Sequence, residues 1–231
     1  AINGATLYVR APEVTNQAGA RLSAPSGTLD IAGPSFINAG ALEVSGGSAV
    51  IGITEWTSPG SLAISAGGLT LGGTFALADF GSVSHTGGSV VINGVVDNVG
   101  RTLSLAATPG SWWLSGGTIR GGTLNLGEAL FLSTSTSNRL ESVTVNGDLD
   151  LTTVSAAVRF KEVELNGTAR LYRFASIGFE GTQTLTGNAT IEFQGNIPGD
   201  YGVLEMVSAG TLTLAPSVLV HGGYGTIGGK I

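Results

Sequence analysis

The sequence predicts an all-β fold, a parallel β-solenoid of about 20–22 residues per coil. Three observations point to it. The 231 residues include 38 Gly but only 11% charged side chains, against roughly 25% charged residues and about 7% Gly in ordinary globular domains. A pattern returns about every 20 residues along the chain. Within each repeat, runs of three to five residues alternate apolar and polar side chains between Gly, Asn, Ser and Pro, as short half-buried strands do. No segment sustains a helical i, i+3, i+4 pattern over three turns.

Taken in order, VTNQAGARLSAPSG begins at Val14, FINAGALEVSGG at Phe36, WTSPGSLAISAGG at Trp56, FALADFGSVSHTGG at Phe75 and VDNVGRTLSLAATPG at Val96. Each start follows the one before it by about 20 residues. Each unit holds an apolar or aromatic residue, a polar turn, an alternating strand and a small-residue turn. A second strand follows: TLDIAG, SAVIG, LTLGG, SVVING and SWWLSG. Such a repeat is too short for a propeller blade, which needs roughly 40 residues, and suits one solenoid coil. In FINAGALEVSGG the Asn-Ala-Gly and Gly-Gly elements are two corners, with Leu42 and Val44 facing inward.

GGTIRGGTLNLGEALFLS continues the chain without a break in composition. VTVNGDLDL at Val143, VELNGTARL at Val163 and QTLTGNATI at Gln183 then follow at even spacing, and TLTLAPSVLV starts at Thr211. Aligning their Gly residues stacks Leu149, Ala169 and Ala189 in one inward column and Leu151, Leu171 and Ile191 in the next. The outward columns are then Asp148, Thr168, Asn188 and Asp150, Arg170, Thr190. One register therefore gives apolar interior columns and polar exterior ones. Residues 28–227 span roughly ten coils, and residues 1–231 read as a single module.

The phrases FINAGALEVSGG, GSWWLSGGTIRGGTLNL, LESVTVNGDLDLT, VELNGTARL, GTQTLTGNATIEF and GTLTLAPSVLVHGGYGTIGG together resemble the tandem modules of very large bacterial secreted or surface proteins. These are adhesin-like exoproteins akin to filamentous haemagglutinins and autotransporter passengers. The resemblance implies a right-handed, single-stranded parallel β-helix at the cell surface or outside it, used as a fibre, stalk or adhesive surface. It carries no catalytic residues with it. GTIGGKI joined to AINGATLYVRAPEVTNQ makes a continuous alternating run, so Ile231 is expected to lead into an equivalent of Ala1, in the same polypeptide or a neighbouring subunit. The expected partners are thus identical modules end to end, with surface carbohydrate as a further one.

Composition narrows the chemistry. With 16 acidic and 10 basic residues, the latter including only two lysines, Lys161 and Lys230, no basic patch for nucleic acid or anionic membrane can form. Cysteine is absent, which removes disulfides and thiolate metal sites. No apolar run is long enough to span a membrane, and the N-terminal AINGATLYVR has no signal-peptide character, so an export signal would lie outside this chain.

Candidate sites reduce to a few residues. The Gly pairs 46/47, 67/68, 72/73, 87/88, 116/117, 121/122, 222/223 and 228/229 lack the following helix and Lys-Ser/Thr of a phosphate loop and are read as corners. Asp148 and Asp150, at i and i+2, face outward together as a glycosidase pair would, but Arg170 one coil on offers an ion pair to Asp150. Glu162 and Glu164 share a face beside Thr144 and Thr184 and read as solvated surface. His85 and His221 have no ligand-spaced companions, and no G-x-S-x-G elbow occurs. Trp112 and Trp113 must point to opposite sides of a strand, and the outward one, with Tyr172 and Tyr224, is a candidate sugar platform. Thr182/Thr184 and Thr211/Thr213 are too isolated for an ice-binding array. The sequons at Asn166 and Asn188 already serve as corners. The chain is therefore expected to be a structural module of a solenoid fibre, stalk or adhesin, with no enzymatic activity, cofactor or metal. A carbohydrate-binding or polysaccharide-cleaving β-helix is the alternative.

Overall fold

The computed structural model describes residues 4–105, 110–127 and 130–228. Among these, all regular structure is strand except one 3-10 turn at Leu77–Asp79, and the strands stack in parallel to give a β-solenoid of about ten coils. Two compact units separate: residues 4–97 with 110–113, and residues 98–105 with 114–127 and 130–228.

In the first unit the period holds coil for coil. Val14 pairs with Phe36, Phe36 with Trp56, and Phe75 with Val96, while the Glu55–Thr74 pair sets Trp56 over Phe75. The second strand of the repeat is equally regular, Thr28–Ile31 lying on Ser48–Ile51 and Gly68–Leu71 on Ser89–Ile92. Alternation places Leu29, Ile31, Leu42, Val44, Ile51 and Leu69 inside. Trp56, Phe75 and Phe80 fill one end of the section with ring centroids 4.6–5.6 Å apart, and the Trp56 indole donates to the Gly72 carbonyl at 2.9 Å.

Corners carry the polar groups that the core cannot leave unpaired. Asn16, Asn38 and Ser58 stack on successive coils, all buried. The Asn16 amide donates to Asn38 Oδ1 (2.8 Å), and that of Asn38 donates to Ser58 Oγ (2.9 Å) and the Ser61 carbonyl (3.1 Å). A buried amide costs free energy unless its donors are matched, and here each coil matches those of the one before. Gly73 turns another corner at φ +63°, and a β-carbon there would strike the Ile53 carbonyl oxygen.

The second unit repeats the logic. Arg139–Glu141, Ala157–Lys161, Ser176–Phe179 and Gly202–Met206 stack as one wall. Thr102–Ser104, Thr123–Asn125, Thr144–Asn146 and Glu164–Asn166 form another. Phe160 and Phe179 pack edge to face at 5.8 Å inside. On the outer side of the second wall, Asn125, Asn146 and Asn166 make an amide ladder, each donating to the residue one coil back.

The expected register fails at one step. Leu149 pairs with Ala169 and Leu151 with Leu171, but Ala169 then pairs with Ile191 and Leu171 with Phe193, so Gly167 lies against Ala189. That coil is two positions longer than the one before it. A displacement of two lets every side chain keep its face. The interior columns become Leu149, Ala169, Ile191 and Leu151, Leu171, Phe193, and the exterior ones contain Thr168, Thr190 and Arg170, Glu192.

Candidate functional site

Three surfaces qualify for attention, and each is set by its coil position. The first comprises strand edges. Thr6–Arg10, Glu13–Asn16 and Arg21–Ala24 in the first unit pair, among the described residues, only with the coil that follows. In the second unit Leu212–Leu214, Leu219–Gly222 and Gly225–Ile227 pair, among the described residues, only with the coil that precedes. Beside the charged Arg10, Glu13 and Arg21 these edges also carry exposed apolar side chains, with Leu219 55% and Ile227 63% exposed, and Leu7 and Tyr8 on the surface. The continuous run through Ile231 and Ala1 lies outside the described residues, as does Gly229.

The second surface is acidic. Asp148 and Asp150 do share the outer face, along an open cleft with Thr152 and Arg170. Arg170 stands over Asp150 in register, yet its Nη1 donates to Asp148 Oδ2 at 2.8 Å, which corrects the expected Asp150 pair. Asp150 instead accepts the Thr152 N–H at 2.8 Å, closing a turn on its own strand. Asp148 also accepts the Thr168 N–H at 2.8 Å, and that bond, helped by Arg170, holds its carboxyl below the usual range. Asp148 thus lacks the raised affinity for a proton that a general acid needs. Glu162 and Glu164 border a shallow groove with Thr144 and Thr184, as expected. Glu162 accepts from Ser142 Oγ at 2.8 Å, and Glu164 from the Asn166 amide at 3.2 Å. Thr184 pairs with Thr213 over a single step.

On the first wall of the second unit, Glu141 accepts from Lys161 at 2.9 Å and from Arg139 at 2.7 Å, while Arg139 also reaches Glu180 at 2.6 Å. The Lys161 hydrogen bond, with both cations nearby, lowers the Glu141 carboxyl, and the same bond raises the Lys161 ammonium. These charges are engaged with one another.

His85 is buried against Trp112 at 5.5 Å, edge to face, and His221 is exposed. Among the described residues no group of three His, Cys, Asp or Glu is placed to hold a metal. Trp112 points inward and Trp113 is half-buried on the other side.

The third surface is aromatic, and only partly foreseen. Tyr224 is exposed, while Tyr172 is half-buried beneath the Arg173 guanidinium, 5.9 Å from its ring. The structure adds Phe174 and Tyr201, which sequence reasoning passed over. Ser176 pairs with Val203, so Phe174 and Tyr201 stack at one corner; Gly202 pairs with Gly225, which brings Tyr224 into the same column. The two chain separations exceed the usual repeat and differ from each other, which hides the alignment.

Compared with known protein families, curated proteins and solved structures, the chain matches none.

Proposed function

We propose that this chain is a structural module of an extracellular β-solenoid, serving as fibre, stalk or adhesin, and that equivalent coils stack on its open edges. The observation that carries the reading is the pair of strand sets, one in each unit, whose outward N–H and C=O rows and apolar side chains have no partner coil among the described residues. An unpaired edge is a template for further pairing, and repeat modules require either a cap or a neighbour. Bonded aspartates and an interlocked surface charge network favour a scaffold over a catalyst. The resemblance to adhesin-like exoproteins favours a place on or outside a cell.

Sedimentation and electron microscopy of the purified chain test the proposal. Stacking should produce concentration-dependent axial assemblies, and Ile227→Lys together with Leu219→Lys should abolish them while the circular dichroism stays that of a β-protein. A wild-type chain that remains monomeric up to high micromolar concentration would overturn it.

A further inference from the structure

Phe174, Tyr201 and Tyr224 follow one another on successive coils at a single corner of the second unit. They are 47%, 40% and 46% exposed. The Phe174 and Tyr201 rings meet edge to face at 5.5 Å, and the Phe174 N–H donates to the Tyr201 carbonyl at 2.8 Å. One coil earlier the equivalent position is Ser155, also left-handed at φ +61°. Phe174 lies at +67° and follows Arg173 at +40°. Two consecutive non-glycine residues in this region, one of them aromatic, are sterically unfavourable. The burial of Phe174 is too incomplete to account for keeping an aromatic there, and persistent backbone strain of this kind gathers at functional positions.

Beside the column opens a cleft of about 440 Å³ lined by Phe174, Tyr201, Ser176, Val203, Glu205 and Thr226. Ser176, Val203 and Thr226 make one outward column, and Gly178 and Glu205 adjoin it. Arg173 is engaged by Asp200 at 3.2 Å, whereas Glu205 has no ion-pair partner among the described residues. The cleft thus offers an aromatic wall, two hydroxyls and a carboxylate with no ion-pair partner among the described residues.

We propose that this corner binds a glycan chain of neutral or amino sugars. The apolar face of a pyranose ring lies against the perpendicular Phe174–Tyr201 pair, and the glycan runs on along the coil axis towards Tyr224, one coil of about 4.8 Å beyond Tyr201. Ring hydroxyls donate to the Glu205 carboxylate and exchange hydrogen bonds with Ser176 and Thr226. The Glu205 carboxylate disfavours uronates, sulfates and phosphates. A peptide added as a strand would take the open edge at Gly225–Ile227 and not the aromatic corner, where the Phe174 N–H is already bonded to Tyr201 and the Gly202 N–H to Tyr224.

Calorimetry on the full chain with cello-, chito-, manno- and β-1,3-gluco-hexaoses, hexagalacturonate and an unstructured cationic hexapeptide tests the proposal. At least one neutral or amino hexaose should bind. Phe174→Ser, which copies the preceding coil, and Tyr201→Ala should each weaken it at least tenfold, and Glu205→Gln several-fold. Binding to no hexaose, preference for hexagalacturonate or the peptide, or affinity untouched by Phe174→Ser and Tyr201→Ala would each overturn the assignment. Phe174→Ser should leave axial assembly unchanged, so failure of glycan binding and failure of stacking read out separately.

Discussion

Arg170 bonds to Asp148 at 2.8 Å although Asp150 is the residue directly below it in register. The choice follows from local chemistry: Asp150 is held by the Thr152 N–H on its own strand, whereas Asp148 already faces the next coil through Thr168. Asp148 is thus the cross-coil link. Asp148→Ala should lower stability by about 1 kcal/mol, chiefly through the lost backbone bond, since half-exposed ion pairs add little. Asp150→Ala should cost about half as much. Urea titrations of the two variants at low and high salt compare them, and salt should change the difference only slightly.

Acid should loosen the second unit before it affects a chain lacking these carboxylates. Glu141 and Asp148 have pKa values below their unfolded values of about 4.3 and 3.9. The unfolded chain therefore binds more protons in that range, so the stabilisation is complete above it and is lost as pH falls through the folded values. Lys161, raised by Glu141, works in the opposite sense, stabilising fully below about 10.4 and fading as pH rises through its folded value. Thermal melts of wild type and a Glu141→Gln, Asp148→Asn double variant should diverge above about pH 5 and converge toward about pH 2.

Buried corner amides should matter more than exposed ones. Asn38 accepts from Asn16 and donates to both Ser58 and the Ser61 carbonyl with no solvent to replace them. Asn38→Ala leaves the Asn16 donor and two acceptors stranded, at about 1–3 kcal/mol for a buried group losing its partner. Asn146→Ala breaks the surface ladder to Asn125 and Asn166, where water can substitute, and should cost less than about 1 kcal/mol. Equilibrium denaturation of the two variants checks the order. Asn146→Ala costing as much as Asn38→Ala would show that the ladder acts as a unit.

Much of this fold was legible because solenoid coils reuse one rule. Val14, Phe36, Trp56, Phe75 and Val96 share one position because an apolar residue, buried in all but the half-buried Val14, opens each coil at nearly constant spacing. The Ala169 step went astray because Gly187 offers itself as the match to Gly167, whereas Ala189 takes that place, and alternation has period two: a shift of two preserves inside and outside, so polarity carries no signal against it. Asp148's partner was illegible for another reason. Sequence gives which residues are neighbours in a column, but not which local backbone N–H has already claimed a carboxylate. The aromatic corner was hidden by QGNIPGD, a longer loop that carries Tyr201 well past the usual period after Phe174 while leaving the two in contact.

Phe174 sets stability against recognition. Its left-handed backbone costs about 1–2 kcal/mol relative to glycine, and the edge-to-face contact with Tyr201 returns about 0.5–1.5 kcal/mol. Phe174→Gly relieves the first and forfeits the second, so its melting temperature should equal or exceed that of wild type. Phe174→Ala keeps a β-carbon in the strained region and loses the ring, so it should melt lower than either. A ring kept for packing would give the reverse result, with Phe174→Gly the least stable because the lost contacts outweigh the relieved strain. Calorimetric scans of the three proteins, read beside their hexaose affinities, separate a ring held for the scaffold from one held for a ligand.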